Sequence, residues 1–118
     1  MKVLIVDDNI DITDMFTKYL SLKGYETTAS NNGANGLSLI KNQDFDYIIL
    51  DMSMPEFGGM DVVDALEKED LLKDKKIVIL TASSISHSEV EELTSKNGIV
   101  TILKKPVQLS ELLQVLSN

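Results

Sequence analysis

The sequence predicts a single α/β domain, in which a five-stranded parallel sheet carries helices on both faces. Short apolar runs alternate five times with stretches whose apolar residues recur at helical spacing. Three of these runs have four consecutive apolar residues, at 3–6, 47–50 and 77–80, which is typical of strands buried on both faces. The chain has 118 residues, the size of one domain with one core, so we assign residues 1–118 to one domain.

The composition excludes several classes of protein and of site. The net charge of -8 argues against direct binding of nucleic acid, which requires a basic face. The chain has no cysteine, so disulfides, thiolate chemistry and cysteine-based metal sites are excluded. No apolar stretch is long enough for a signal peptide or a membrane span, and we therefore expect a cytoplasmic protein.

The strands are predicted from the apolar runs. The second run is partly polar, so we place that strand at an edge of the sheet. The five strands are predicted at residues 2–6, 25–29, 47–50, 77–80 and 99–103.

The helices are predicted from stripes of apolar residues. Asp8 or Asn9 can cap the first helix, and Gly24 marks its end. Adjacent glycines, Gly58 and Gly59, precede the third helix and predict unusual backbone angles. The fourth helix is weakly amphipathic and ends near Lys96. The residues that predict the other helices are Ile12, Met15, Phe16, Tyr19 and Leu20; Ala34, Leu37, Ile40 and Lys41; Val62, Val63, Ala65 and Leu66; and Leu109, Leu112, Leu113 and Leu116.

Polar residues follow the predicted strands at the points where those strands end. Five βα units favour the flavodoxin-like strand order 2-1-3-4-5 with right-handed crossovers, which places the first and third strands side by side. Asp7, Asp8 and Asp51 would then converge at the carboxyl edge of the sheet, joined by Thr81 and Lys105.

That edge has the chemistry of a magnesium and phosphoryl site. Three neighbouring carboxylates repel one another unless a cation lies among them. Oxygen ligands without His or Cys favour Mg²⁺, or Mn²⁺, and Mg²⁺ keeps coordination positions open for a phosphate oxygen. Lys105 and Thr81 can contact a phosphoryl group, and one aspartate can act as a nucleophile and form an aspartyl phosphate.

The chain resembles the response-regulator receiver domains of two-component signalling, a family whose single-domain members include chemotaxis regulators. The resemblance covers essentially the whole length and depends on five motifs at strand ends. These are Asp7-Asp8, Asp51, Met54-Pro55 with Gly59 beyond it, Thr81-Ala82, and Lys105-Pro106, in which the peptide bond is often cis in the family.

The resemblance implies a role for each of these residues. Asp51 would be the phosphoacceptor and also a metal ligand. Asp8 would bind the metal directly, Asp7 would assist, and the backbone carbonyl of Ser53 would complete the protein ligands. Lys105 would contact the phosphoryl oxygens.

A second set of residues would act in switching. Thr81 would move its hydroxyl onto the phosphoryl group, and Ala82 would leave room for it. Ile102 stands where many members have Tyr or Phe, so the usual aromatic half of the switch is missing. Gly58 replaces a commonly acidic residue. Small polar residues at Ser53 and Ser83, which in receivers flank the phosphoryl group, predict an intermediate lifetime of the phosphorylated state.

The resemblance also implies partners. A sensor histidine kinase or a phosphotransfer protein would donate the phosphoryl group, and an output protein or domain would dock near the last two helices. The domain would be a monomer or a weak dimer. It would not be a conventional enzyme, although it would promote its own phosphorylation and dephosphorylation.

Two other classes of function compete with the switch. One is a Mg²⁺-dependent phosphohydrolase with an Asp-x-Asp motif, but Ser53 stands at the second acidic position and the chain has no room for a cap domain. The other is a pseudo-receiver that only binds partners, which would usually lack a key residue. Because none of the five motifs is missing, the sequence favours the switch.

Overall fold

The structure, a computed structural model, describes residues 1–82 and 85–117. Strands and helices alternate through these residues, and a short 3₁₀ turn that the sequence did not predict lies before the fourth strand. The strands are β1 Lys2–Val6, β2 Glu26–Ser30, β3 Tyr47–Asp51, β4 Ile77–Thr81 and β5 Ile99–Lys104. The helices are α1 Ile10–Leu22, α2 Gly33–Asn42, α3 Gly59–Lys68, α4 His87–Thr94 and α5 Leu109–Leu116, and the 3₁₀ turn is Leu72–Asp74.

The five strands form one parallel sheet in the order β2-β1-β3-β4-β5. This order confirms the predicted flavodoxin-like topology and the edge position of β2. Because β1 lies beside β3 and β3 beside β4, three neighbouring strands end at the same edge of the sheet.

The helices cover both faces of the sheet and make a separate core on each. On one face, α1 and α5 contribute residues such as Phe16 and Leu112 to a cluster that includes Ile49 of β3. On the other face, α2 and α3 pack over Ile48 and Leu50 of the same strand. Successive side chains of a strand point to opposite faces, which explains why β3 is apolar at consecutive positions.

Helix α4 is attached by little apolar surface. Leu93 is its one fully buried residue, and the helix contacts β5. Its first turn is closed by a capping box, in which the Ser86 hydroxyl accepts the Glu89 N–H at 3.2 Å. None of the helices within residues 1–82 and 85–117 has the length and apolar character needed to cross a membrane.

The predicted stripe of α2 is wrong at its first and last positions, Ala34 and Lys41. Ala34 is exposed, whereas Gly33, Gly36 and Ile40 form the buried face. A Cβ atom on Gly36 would lie 2.8 Å from Cγ1 of Val6, so the missing side chain allows α2 to lie close to β1. An apolar pattern cannot reveal a contact that depends on the absence of a side chain.

The prediction of unusual backbone angles at the paired glycines is also wrong. Gly58 has a φ of -87°, and the residue of this loop with a left-handed backbone is Glu56, at φ 68°. The glycines are required for space, because a Cβ on Gly59 would lie 2.5 Å from the carbonyl oxygen of Asp51. The start of α3 therefore lies directly against the end of β3.

The two ends of α1 agree with the sequence. Asn9, one of the two predicted caps, accepts hydrogen bonds from the N–H groups of Asp11 and Ile12 at 2.9 and 3.3 Å. Gly24 follows the helix with a φ of 94°, the left-handed conformation that commonly ends a helix. The cap places the N-terminus of α1 immediately after Asp7 and Asp8.

Candidate functional site

Three carboxylates meet at the carboxyl edge of the sheet. Asp7 and Asp8 follow β1 directly, and Asp51 is the last residue of the adjacent strand β3. Each offers a carboxylate oxygen, and these oxygens all lie within 4.8 Å of one another. Asp7 and Asp51 are buried, with 1% and 3% of their surface exposed, whereas Asp8 is exposed. The cluster therefore has two buried acids and one that faces solvent.

Lys105 provides the positive charge nearest to the buried acids. Its Nζ lies 2.9 Å from Oδ2 of Asp7 and 3.2 Å from Oδ1 of Asp51. The backbone N–H of Lys105 donates to the carbonyl oxygen of Thr81 at 2.8 Å, and the Lys105–Pro106 peptide bond is cis. Lys104 is exposed in the last position of β5, so the lysine next to proline is the one that reaches the acids.

Burial and charge shift the pKa values at this site. Burial raises the pKa of Asp51, and the charge of Asp7 raises it further, while Lys105 opposes both effects. Burial alone would lower the pKa of Lys105, but its hydrogen bond to Asp7 and the charges of Asp7 and Asp51 together raise it. The lysine is thus held as a cation, and the acid cluster retains unbalanced negative charge.

Four hydrogen bonds hold Asp7 in place. Its N–H donates to the carbonyl of Ser30 at 3.0 Å, and its Oδ1 accepts the N–H of Asn9 at 2.9 Å. Its backbone carbonyl accepts a hydrogen bond from Nδ2 of Asn31 at 2.8 Å, and its Oδ2 accepts one from Lys105. Sequence patterns do not single out Asn31, because a contact between residues 24 positions apart leaves no local signal.

Three further predicted site residues lie at the ends of β3 and β4 or just beyond them. Thr81 is buried at the end of β4, and Ala82, directly after it, is exposed. Ser53 is exposed, two residues beyond Asp51, and Ser83 lies outside the described residues. Ile102 is half-buried and packs against the core between the sheet and helices α2 and α3.

The donor set fits a hard divalent cation. Within the described residues, the group capable of holding a metal consists of Asp7, Asp8 and Asp51 and contains neither His nor Cys. Carboxylate oxygens with one solvent-facing member suit Mg²⁺ or Mn²⁺, which retain water molecules, better than Zn²⁺. The unbalanced negative charge is a further reason for a cation to bind there.

Removing the exposed charge should separate metal binding from folding. We expect Asp8→Asn to raise the metal-free stability by roughly 0.5 kcal/mol, because one of three like charges disappears near a solvated surface. The same substitution should abolish tight Mg²⁺ binding, measured by calorimetric titration. Asp14→Asn, at an exposed position on α1, is the control and should leave the affinity unchanged. A lower metal-free melting temperature for Asp8→Asn would contradict mutual repulsion among the acids.

Comparison with known sequences identifies relatives along the whole chain. The family model for the response regulator receiver domain matches residues 3–117. Response regulator SaeR of Staphylococcus aureus is 35% identical over 116 residues, which cover 98% of this chain and 49% of that protein. The chain thus spans about half the length of the curated relatives it matches.

Solved structures agree with the family match. Chemotaxis protein CheY4 of Vibrio cholerae has 33% identity and a TM-score of 0.85, over 98% of this chain and 95% of that one. Response regulator TrrA of Thermotoga maritima, solved in complex with Mg²⁺-BeF, has 28% identity and a TM-score of 0.82, over 98% and 96%. The match to the family model and these similarities together show that the chain belongs to the response regulator receiver domain family, as its five motifs predicted.

Proposed function

We propose that residues 1–118 form a phosphoryl-accepting receiver switch and that Asp51 is the phosphoacceptor. The observation that carries this proposal is the position of Asp51, a buried carboxylate at a strand end with Nζ of Lys105 3.2 Å from its Oδ1. Receiver domains are signalling switches rather than conventional enzymes, and this chain belongs to that family.

In the proposed reaction, a carboxylate oxygen of Asp51 attacks the phosphorus of a phosphohistidine. A P–O bond forms and the P–N bond breaks, and its electron pair leaves with the imidazole nitrogen, which takes a proton from water. The product is an aspartyl phosphate. Nζ of Lys105 already contacts Asp51, so it lies close enough to contact the phosphoryl oxygens and stabilise their negative charge.

Asp7, Asp8 and Asp51 would hold Mg²⁺, or Mn²⁺, together with the backbone carbonyl of Ser53. The bound metal would neutralise negative charge on the phosphoryl oxygens. The carboxylate oxygens within 4.8 Å of one another support this assignment. The Mg²⁺-BeF complex of TrrA supports it from a relative with 28% identity.

Phosphorylation would change the charge that the end of β3 carries. The phosphoryl group carries about two negative charges and three acceptor oxygens, but the bond to phosphorus removes the single charge of the Asp51 carboxylate, so the site gains about one negative charge. This change can bias an existing conformational equilibrium. The Thr81 hydroxyl would donate to one of these oxygens, with Ala82 leaving space beside it. Ile102 has no ring to move, so the change would reach an output partner through Thr81, the loops at this edge and the last two helices.

The partners belong to the same proposal. A sensor histidine kinase or phosphotransfer protein would supply the phosphoryl group in the cytoplasm, and an output protein or domain would dock near α4 and α5. The domain would act as a monomer or a weak dimer. Attack of water on the aspartyl phosphate would reset the switch, and the site that promotes phosphorylation would also promote this step.

The test is an intact-mass spectrum after incubation with Mg²⁺ and acetyl phosphate, with Asp51→Asn treated in parallel. We expect a single phosphoryl adduct on the native chain that requires Mg²⁺ and is absent from the Asp51→Asn protein, because asparagine lacks the nucleophilic carboxylate. An adduct that persists in the variant would show that another residue is the nucleophile. No adduct on a native chain that binds Mg²⁺ would contradict chemical competence of the site.

A further inference from the structure

Asn31 lies on the loop between β2 and α2, beside the acid cluster. Its Nδ2 is 2.8 Å from the backbone carbonyl oxygen of Asp7 and 3.1 Å from Oγ1 of Thr13. A carbonyl oxygen only accepts hydrogen bonds, and the Thr13 hydroxyl already donates to the carbonyl of Ile10 at 3.0 Å. Both contacts therefore require the amide nitrogen of Asn31, and they use both of its hydrogens.

The Asp7 carbonyl lies just beyond the paired part of β1. The pairing of β1 with β2 ends at Val6 and Ser30, and the Asp7 N–H still donates to the carbonyl of Ser30. Asn31 is the next residue of the chain after Ser30, and its side chain provides the hydrogen bond that a further strand residue would have provided. The ladder between β1 and β2 is thus extended by a side chain.

Holding this carbonyl has a consequence for Asp8. The peptide group that contains the Asp7 carbonyl also contains the N–H of Asp8, and the group is planar. A hydrogen bond to the Asp7 carbonyl oxygen therefore fixes the orientation of this peptide plane, and with it the position of the Asp8 backbone. The second hydrogen bond of Asn31 connects the same loop to Thr13, which is buried on α1.

We propose that Asn31 is a positioning residue, which holds Asp7 and Asp8 in the arrangement that binds Mg²⁺. Asn31 acts through the backbone of Asp7 and is not a ligand itself. This inference rests on the proposed function, since it concerns the same acid pair. Residues that hydrogen-bond to metal ligands affect metal affinity although they do not contact the metal.

The test compares Mg²⁺ affinity and metal-free stability in matched variants. Asn31→Ala should weaken Mg²⁺ binding by about tenfold in calorimetric titration. This is the lower end of the roughly 10- to 100-fold range for residues that support metal ligands, because water can partly replace the exposed Asn31 amide. Asn31→Gln retains the donor and should recover part of the affinity. Asn35→Ala is the control, because Asn35, in the first turn of α2, donates from Nδ2 to Oγ of Ser30 at 2.9 Å, and among the described residues its side chain makes no hydrogen bond to Asp7.

A merely structural role would give a different result. In that case Asn31→Ala and Asn35→Ala would have equal effects on the metal-free melting temperature and equal effects on Mg²⁺ affinity. This result would overturn the inference. Native affinity in Asn31→Ala would also overturn it. A native chain that binds Mg²⁺ but gains no adduct from acetyl phosphate would contradict the proposed function, while the ratio of affinities would still decide the role of Asn31.

Discussion

Replacing Lys105 with methionine should lower the free energy of unfolding of the metal-free protein by about 3 kcal/mol, because the change leaves buried carboxylates without their cation. The Nζ atom of Lys105 contacts Asp7 and Asp51, whose side chains are 1% and 4% exposed. Methionine keeps most of the apolar stem, so the loss reports on the charge rather than on packing. Denaturant unfolding in the presence of a chelator measures it.

The Lys105→Met loss should depend on pH. In the native protein Lys105 opposes the rise in the pKa of Asp51, so its removal raises that pKa further above the ordinary value of 3.8. A carboxyl whose pKa is raised by folding loses stability as the pH increases from its unfolded pKa through its folded one. The deficit should therefore be complete at neutral pH and smaller in acid.

Added Mg²⁺ should recover part of the stability of Lys105→Met, because ligand binding to the folded state alone stabilises it. Lys104→Met is the matched control at the exposed neighbouring position and should change stability by less than about 0.5 kcal/mol. Equal effects of the two substitutions would show that the buried acids do not depend on Lys105.

Replacing Gly59 with alanine should destabilise the protein by about 3 kcal/mol, the upper end of the range for overpacking. The new Cβ would lie 2.5 Å from the carbonyl oxygen of Asp51 and 2.9 Å from Cα of Met52. These are backbone atoms, which cannot turn away as the end of a flexible side chain can. Relief requires α3 to move away from the end of β3, and the position of Asp51 should change with it.

Two readouts distinguish this collision from an ordinary glycine effect. Gly24→Ala is the control, because Gly24 has a φ of 94° and its added Cβ would meet no atom within 4 Å. It should cost about 1 kcal/mol through backbone strain and leave phosphorylation by acetyl phosphate unchanged. Gly59→Ala should lose stability and slow phosphorylation. If the Gly59→Ala protein had native stability and a native rate of phosphorylation, the close approach of α3 to Asp51 would be contradicted.

The fold and the convergence of the acids could be predicted because they follow from local patterns. An uninterrupted apolar run that ends in Asp7 or Asp51 combines the signal for a buried strand with the cost of burying a charge, so the acid must lie at the edge of the sheet. The strand order then follows from the alternation of strands and helices, and the order brings the two aspartates together.

The details that were wrong or missed depend on contacts between distant segments. The sequence shows that Gly36 and Gly59 lack a side chain, but only the packed structure shows whether a glycine is needed for its backbone angle or for space. Glu56, at φ 68°, has no local signal for a left-handed backbone. The contact of Asn31 with Asp7 depends on the relative position of two loops, which periodicity does not describe.

The weak attachment of α4 has a consequence for how this protein exchanges its amide hydrogens with solvent. Segments with few buried contacts open locally at a lower free energy than the rest of a fold. Helix α4 is held by Leu93, whereas every residue of β3 and β4 is buried. Its amides can therefore exchange through openings that leave the sheet intact, and α4 can change position while the strands that carry Asp51 and Thr81 stay in register.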